Sequence, residues 1–389
     1  MTDLTAITAA VQEDAADAVD FLEAFVNMES PTEDKDLCDA VARLLAASAS
    51  DLEMEVHLDP LEDYGDTVVA HLKADAPTAR VLCVGHYDTV FARGTVAERP
   101  FTVDGEVARG PGVLDMKAGI TAGLFAIRAL QRLGVSPTVD VSFIFNGDEE
   151  PGSPVSRELI EREAPAYDLA FILEPSDTPG TVTTRRKGVG IIALEHHGVA
   201  SHAGAEPEAG VNAIVDAAER IAAVWALQDR AAGTTLNPGV ISGGTKPYVV
   251  PAHARLEIDA RVSTLAEQRR VEDGLADIAA MTTSIDGAKA VLHGGFHRPP
   301  MEPTELTDHY LGQVQQVAQA FGRPLTAAAS GAASDGNNTA SLGVPTIDGM
   351  GAEGFGAHGL DEYIDLPTLH QKTELLAALL TSLRTPEHA

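Results

Sequence analysis

The chain has 389 residues, 58 of them acidic and 27 basic, for a formal charge of −31. Such a polyanion gains nothing from counterion release on nucleic acid and is repelled by anionic lipid, which excludes both as partners. With 44% hydrophobic residues it can bury a core for two or three domains of roughly 150 residues, so a disordered or fibrous chain is excluded as well.

The stretch Met1–Asp20 mixes Asp3, Glu13, Asp14 and Asp17 with alanines. It has neither the basic start nor the apolar run of a secretory leader, and no window reaches the ~18 apolar residues of a membrane helix. The expected location is the cytoplasm. Apolar residues at three- and four-residue spacing predict helices over Ala15–Val26 and Asp36–Ala47, followed by strands at Thr67–Leu72 and Val81–Val84. Next come a helix over Met116–Leu133, closed by Gly134, and strands at Val139–Phe145 and Leu169–Leu173 with a helical segment, Ser153–Arg162, between them. Strands alternating with helices imply an α/β layer around a mostly parallel sheet. Cys38 and Cys83 are too few for a disulfide scaffold, and Cys83 reads as an inert core thiol.

Past Arg185-Arg186-Lys187 the pattern changes. Strand Gly188–His197, helix Gly210–Leu227, strands Val240–Ser242 and Ala254–Val262, helix Leu265–Met281 and strand Lys289–Gly294 give the order β-α-β-β-α-β, which is ferredoxin-like. Leu256, Ile258, Ala260 and Val262 alternate with Arg255, Glu257, Asp259 and Arg261, as in a sheet with one buried and one wet face. Arg298-Pro299-Pro300 reads as a hinge. Helix–strand alternation resumes from Thr304 and ends in a helix near Pro367–Leu383. The expected organisation is a larger α/β domain, residues 1–187 and 299–389, interrupted by a smaller α+β domain at 188–298.

Three apolar runs end in chemically useful residues. Val81–Val84 leads to His86 and Asp88, Val139–Phe145 to Asp148-Glu149-Glu150, and Leu169–Leu173 to Glu174. Ligand sites of open α/β sheets form outside the carboxyl ends of the strands. Several carboxylates gathered there are prohibitively costly without a cation, so the joint placement points to a metal site. A fourth piece, Gly110-Pro111-Gly112-Val113-Leu114-Asp115, has the spacing of a dinucleotide loop but carries Asp115 where the third glycine belongs. That carboxylate would face the pyrophosphate, which argues for a tight loop presenting Asp115 instead.

Gly85–Val90, Gly112-x-x-Asp115-Met116-Lys117-x-Gly119, Asp148-Glu149-Glu150, Glu174-Pro175 and Gly356-x-His358 together resemble the two-zinc exopeptidase and deacylase family. Its members include glutamate carboxypeptidase, aminoacylase, acetylornithine deacetylase and succinyl-diaminopimelate desuccinylase. The likeness covers nearly the whole chain and is greatest to the glutamate carboxypeptidase branch.

The resemblance implies a role for each position. His86 and Glu174 would hold one zinc and Glu150 and His358 the other, with Asp115 bridging both. Manganese or cobalt would accept similar ligands. Asp88 would take a hydrogen bond from the ring of His86, and Glu149 would be the general base. The inserted domain would make a homodimer and bring His202, in Gly198–Gly204, to the partner's site as an oxyanion donor. Arg298 would hold a substrate carboxylate, and Ser330–Asn337, with Gly331 and Ser334, would form a substrate loop. Tyr248 stands where relatives usually carry Asn, which leaves the preferred side chain open.

The implied reaction is hydrolysis of the amide bond in N-acyl amino acids or small peptides with a free carboxylate. An aminoacylase or deacetylase is the nearest alternative. A binding protein that kept only the fold is opposed by Glu149, a spare base beside a ligand. Ser201-His202 does not make a serine hydrolase, since sequence neighbours rarely form a triad pair and no nucleophile elbow is present.

Overall fold

Six strands build the main sheet in the order Glu55–Asp59, Gly65–Leu72, Asp140–Gly147, Arg80–His86, Leu169–Ile172 and Thr346–Ile347. Pairings among the last four are parallel, and the first two strands join antiparallel at one edge. Alternate side chains of a strand face opposite layers. Val81 and Cys83 pack with the helices Ala15–Asn27, Lys35–Asp51, Ala118–Arg132 and Leu366–Leu380, while Leu82 and Val84 pack with Leu159 and Ile160 of the helix Ser156–Glu163. Both cysteines are buried and unbridged, and burial pushes the Cys38 thiol up to about 12.

This computed structural model describes residues 3–388; Met1, Thr2 and Ala389, at the ends of the expected outer segments, lie outside the described residues. The chain divides into two units. One takes the described chain up to Arg185, then Pro303–Ser330 and the part from Ser334 onward; the other comprises Arg186–Glu302 and Gly331–Ala333.

The second unit is an antiparallel sheet in the order Thr235–Gly243, His253–Val262, Gly188–His197, Lys289–Arg298, with helices Ala213–Ala226 and Leu265–Ala280. Leu256, Ile258, Ala260 and Val262 enter its core with Val224, Val271 and Leu275. The first strand begins earlier than its apolar run, passing Pro238 through a register shift that absorbs the missing N–H. The first helix starts at Ala213 because the Asn212 side chain accepts the N–H groups of Ile214 and Val215.

Two features of the first unit were not legible in the apolar pattern. A helix spans Leu4–Glu13, and a small antiparallel sheet joins Thr102–Asp104, Val107–Arg109, Tyr363–Asp365 and Gly354–Phe355. Its strands are too short to register as periodicity, yet they position half of the site. Among the described residues no helix is long and apolar enough to cross a membrane.

Candidate metal centre

The parallel strand Arg80–His86 ends on His86, and the next two residues bring Asp88 to the same edge. Asp140–Gly147 runs into Glu149 and Glu150, and Leu169–Ile172 into Glu174. The expected helix over Met116–Leu133 begins only at Ala118, because Asp115 and Met116 have non-helical backbone angles. That irregular segment turns Asp115 toward the sheet edge. It starts at Gly112, whose φ of +71° lies in the left-handed region and whose missing Cβ would stand 2.5 Å from Thr89 Cγ2. At Gly119 a Cβ would come 1.8 Å from the carbonyl oxygen of Leu173, so the helix start lies directly on the backbone carrying Glu174.

The side chains meet in a definite pattern. Nε2 of the buried His86 is 3.0 Å from Oδ1 of Asp115 and 3.5 Å from Glu174. Nε2 of His358 is 3.1 Å from the other Asp115 oxygen, Oδ2, and 3.1 Å from Oε2 of Glu150. Ligand atoms of His86, Glu149 and Glu174 all lie within 4.8 Å of one another, as do those of His86, Asp115 and Glu150. Behind His86, its Nδ1 is 3.0 Å from the Asp88 backbone oxygen and 3.3 Å from the Asp88 carboxylate. His358 arrives from the turn between Gly354–Phe355 and Tyr363–Asp365, with a positive φ of 64°.

The electrostatics call for positive charge. Burial of His86 lowers its pKa, but Asp115, Asp88 and Glu174 outweigh that and hold it well above the ordinary imidazole value. Asp115 and Glu150 raise His358 to about 10. Burial, then the charge of Asp115, lifts the Glu174 carboxyl to about 7 against the pull of His86. Imidazole nitrogens and carboxylate oxygens without thiolates suit zinc, manganese or cobalt, so the donor set fits divalent ions of that kind.

Residues 82–382 match Peptidase M20, described as Peptidase family M20/M25/M40. The chain belongs to this family. It is 29% identical over 379 residues to carboxypeptidase G2 of Pseudomonas sp. (strain RS-16), covering 93% of this chain and 88% of the relative. It is 26% identical over 376 residues to acetylornithine deacetylase of Proteus mirabilis (strain HI4320), covering 90% and 92%. The aminopeptidase PepT from Bacillus cereus has the same fold, with a TM-score of 0.79 at 23% identity over 94% of this chain and 98% of that one. The protein is thus an M20-family metallopeptidase or amidohydrolase with a mostly parallel α/β sheet, as the motif resemblance implied.

Other expected residues of this M20 hydrolase lie as follows. Ser334 is buried; its hydroxyl donates to Asp348 at 2.6 Å and receives the Gly336 N–H, so it stitches its own loop. In the second unit, His202 is exposed and its Nδ1 accepts the N–H groups of Gly204 and Ala205. Arg298 ends the strand Lys289–Arg298 and is 2% exposed, Gly331 is exposed, and Tyr248 is 60% exposed. His196 is buried against Asp216 at 2.8 Å, and Arg220 shares that carboxylate.

Two residues beside the centre were given no role from the sequence. The buried Lys117 ammonium donates to the backbone oxygens of Phe25 and Met28. Glu362 accepts the N–H groups of Gly112, Leu114 and Asp115, while burial pushes its carboxyl up to about 7. Glu362 stands four residues after His358 in a polar stretch, where an acid ordinarily signals only a wet loop.

Proposed function

We propose that this M20 hydrolase cleaves the amide bond of an N-acyl amino acid or small peptide whose leaving amino acid carries a free α-carboxylate. One observation carries the reading: the two oxygens of Asp115 each meet a different histidine, at 3.0 and 3.1 Å, and each histidine has its own glutamate. His86 and Glu174 would hold one divalent ion, His358 and Glu150 the other, with Asp115 shared. Two zinc ions, or manganese or cobalt in their place, would acidify a water and polarise the scissile carbonyl when bound. Asp88 keeps the proton of the His86 ring on Nδ1 and so leaves Nε2 free to ligate.

Glu149 is left as the base, its carboxylate beside His86 and Glu174. It would take the proton of the attacking water and return it to the departing amine nitrogen. His202 would donate to the oxyanion across a homodimer. Support comes from its Nδ1 contacts, which make that nitrogen an acceptor and leave the proton of the neutral ring on Nε2. The dimer itself is supported by the sheet-edge strand Thr235–Gly243, where Val240 and Ile241 are 56% and 53% exposed. Arg298 would clamp the substrate carboxylate, and Gly331 and Ser334 would shape the substrate loop. A cytoplasmic location agrees with two unbridged thiols.

The likeness to acetylornithine deacetylase favours a second reading, deacylation of N-acetylated amino acids by the same centre. Glu149→Gln tests the shared mechanism. Turnover of N-acyl glutamate and dipeptide substrates should fall by about 10²–10⁴ while two metal equivalents stay bound. Activity retained in that variant would remove Glu149 as the base.

A further inference from the structure

We propose that Glu362 is a positioning residue that holds Asp115 where both histidines meet it; this rests on reading Asp115 as the shared ligand. Two short strands bring the necessary segments together. Tyr363–Asp365 pairs antiparallel with Val107–Arg109, matching Tyr363 to Arg109 and Ile364 to Ala108. The irregular segment that presents Asp115 follows the second strand, and the turn that presents His358 precedes the first. Glu362 sits at the junction, fully buried.

Its carboxylate reaches across to the other segment. Oε2 accepts the Gly112 N–H at 3.0 Å, and Oε1 accepts those of Leu114 at 2.8 Å and Asp115 at 3.1 Å. Between Gly112 and Ala118 the backbone is not regular helix, so these N–H groups lack the usual partner four residues back. One carboxylate replaces that ladder and fixes the backbone nitrogen from which the Asp115 side chain departs. It also joins the His358 turn to the Asp115 segment, so the two ligands are set by one contact. The charge of Asp115 opposes a second carboxylate at this distance. A neutral acceptor would avoid that repulsion but has no second anionic oxygen for three donors, and hydrogen bonds to a charged acceptor are about twice as strong.

The test is metal affinity, measured by competing Zn2+ against a chromophoric chelator, with the visible absorption of bound Co2+ as a geometric readout. Glu362→Gln keeps the size but turns an amide N–H toward backbone donors. It should weaken Zn2+ binding by about 10–100-fold and change the Co2+ spectrum. Glu362→Asp keeps the charge and should recover part of the affinity; it also carries the test if the glutamine variant does not fold. Wild-type affinity and an unchanged Co2+ spectrum in these variants, even with a lowered metal-free Tm, would reduce Glu362 to a structural stitch and overturn the proposal. Asp115→Asn separates the two readings. If that variant still binds two Zn2+ as the wild type does, the ligand assignment fails, whatever Glu362 does.

Discussion

Asp88 stands with Oδ1 3.3 Å from Nδ1 of His86, and the same carboxylate accepts the backbone N–H groups of Glu149 and Glu150 at 3.1 and 3.3 Å. Thr32 donates to its second oxygen at 2.8 Å. One buried side chain therefore aligns a proposed ligand ring with the strand end that carries both the proposed base and another ligand. Asp88→Asn keeps the shape but puts an amide N–H where the carboxylate accepts. Metal affinity should drop by about 10–100-fold, with a loss of kcat larger than any rise in KM. Chelator competition and steady-state kinetics on one preparation check both.

Gly119→Ala tests the seam between helix and sheet. Helix propensity alone would favour alanine by about 1 kcal/mol. The added Cβ would meet the Leu173 oxygen at 1.8 Å, and neither backbone can yield without moving Glu174. The variant should lose about 1–3 kcal/mol in urea unfolding and bind metal more weakly, opposite in sign to the propensity effect.

Lys372 gives stability a pH dependence remote from the centre. Burial lowers its pKa from 10.5 to about 8, although Glu353 pulls it upward, and its ammonium donates to the Gly349 oxygen at 2.8 Å. Between those two values the unfolded chain binds a proton that the folded chain does not, so this group makes stability rise with pH across that interval. Its cost is full below about pH 8. Lys372→Met removes the term, so the stability of the variant minus that of the wild type should fall by up to about 3 kcal/mol from pH 8 to 10.5. Parallel slopes in urea titrations across that range would contradict it.

Arg298→Ala tests the proposed clamp. Loss of a charged hydrogen-bond pair costs about 1.5–3 kcal/mol, which predicts a KM increase of roughly 10–100-fold for substrates with a free α-carboxylate. The matching carboxamides should change far less. Equal changes for both would remove the clamp assignment, and unaltered Tm guards against simple misfolding of this buried position.

The formal charge of −31 says little by itself about the centre, since most of those acids ride on the surface. Their placement says more. His86, Glu149, Glu150 and Glu174 were legible because each follows an apolar β-run directly, and a parallel strand delivers its successor to one sheet edge. Asp115 was legible as a loop carboxylate, but its reach to both histidines was not. That depends on a backbone that departs from helix at Asp115 and Met116, on Gly119 lying against Leu173, and on the short sheet that brings the His358 turn alongside. Strands of two or three residues leave no period to read, and a glutamate accepting three backbone N–H groups looks in sequence like any loop acid. Sequence by itself determined the family, the two kinds of sheet and the candidate ligands, because those rest on residue type and local periodicity. Only the tertiary structure decided which carboxylate oxygen faces which imidazole, because that rests on contacts between segments more than two hundred residues apart, as between Asp115 and Glu362.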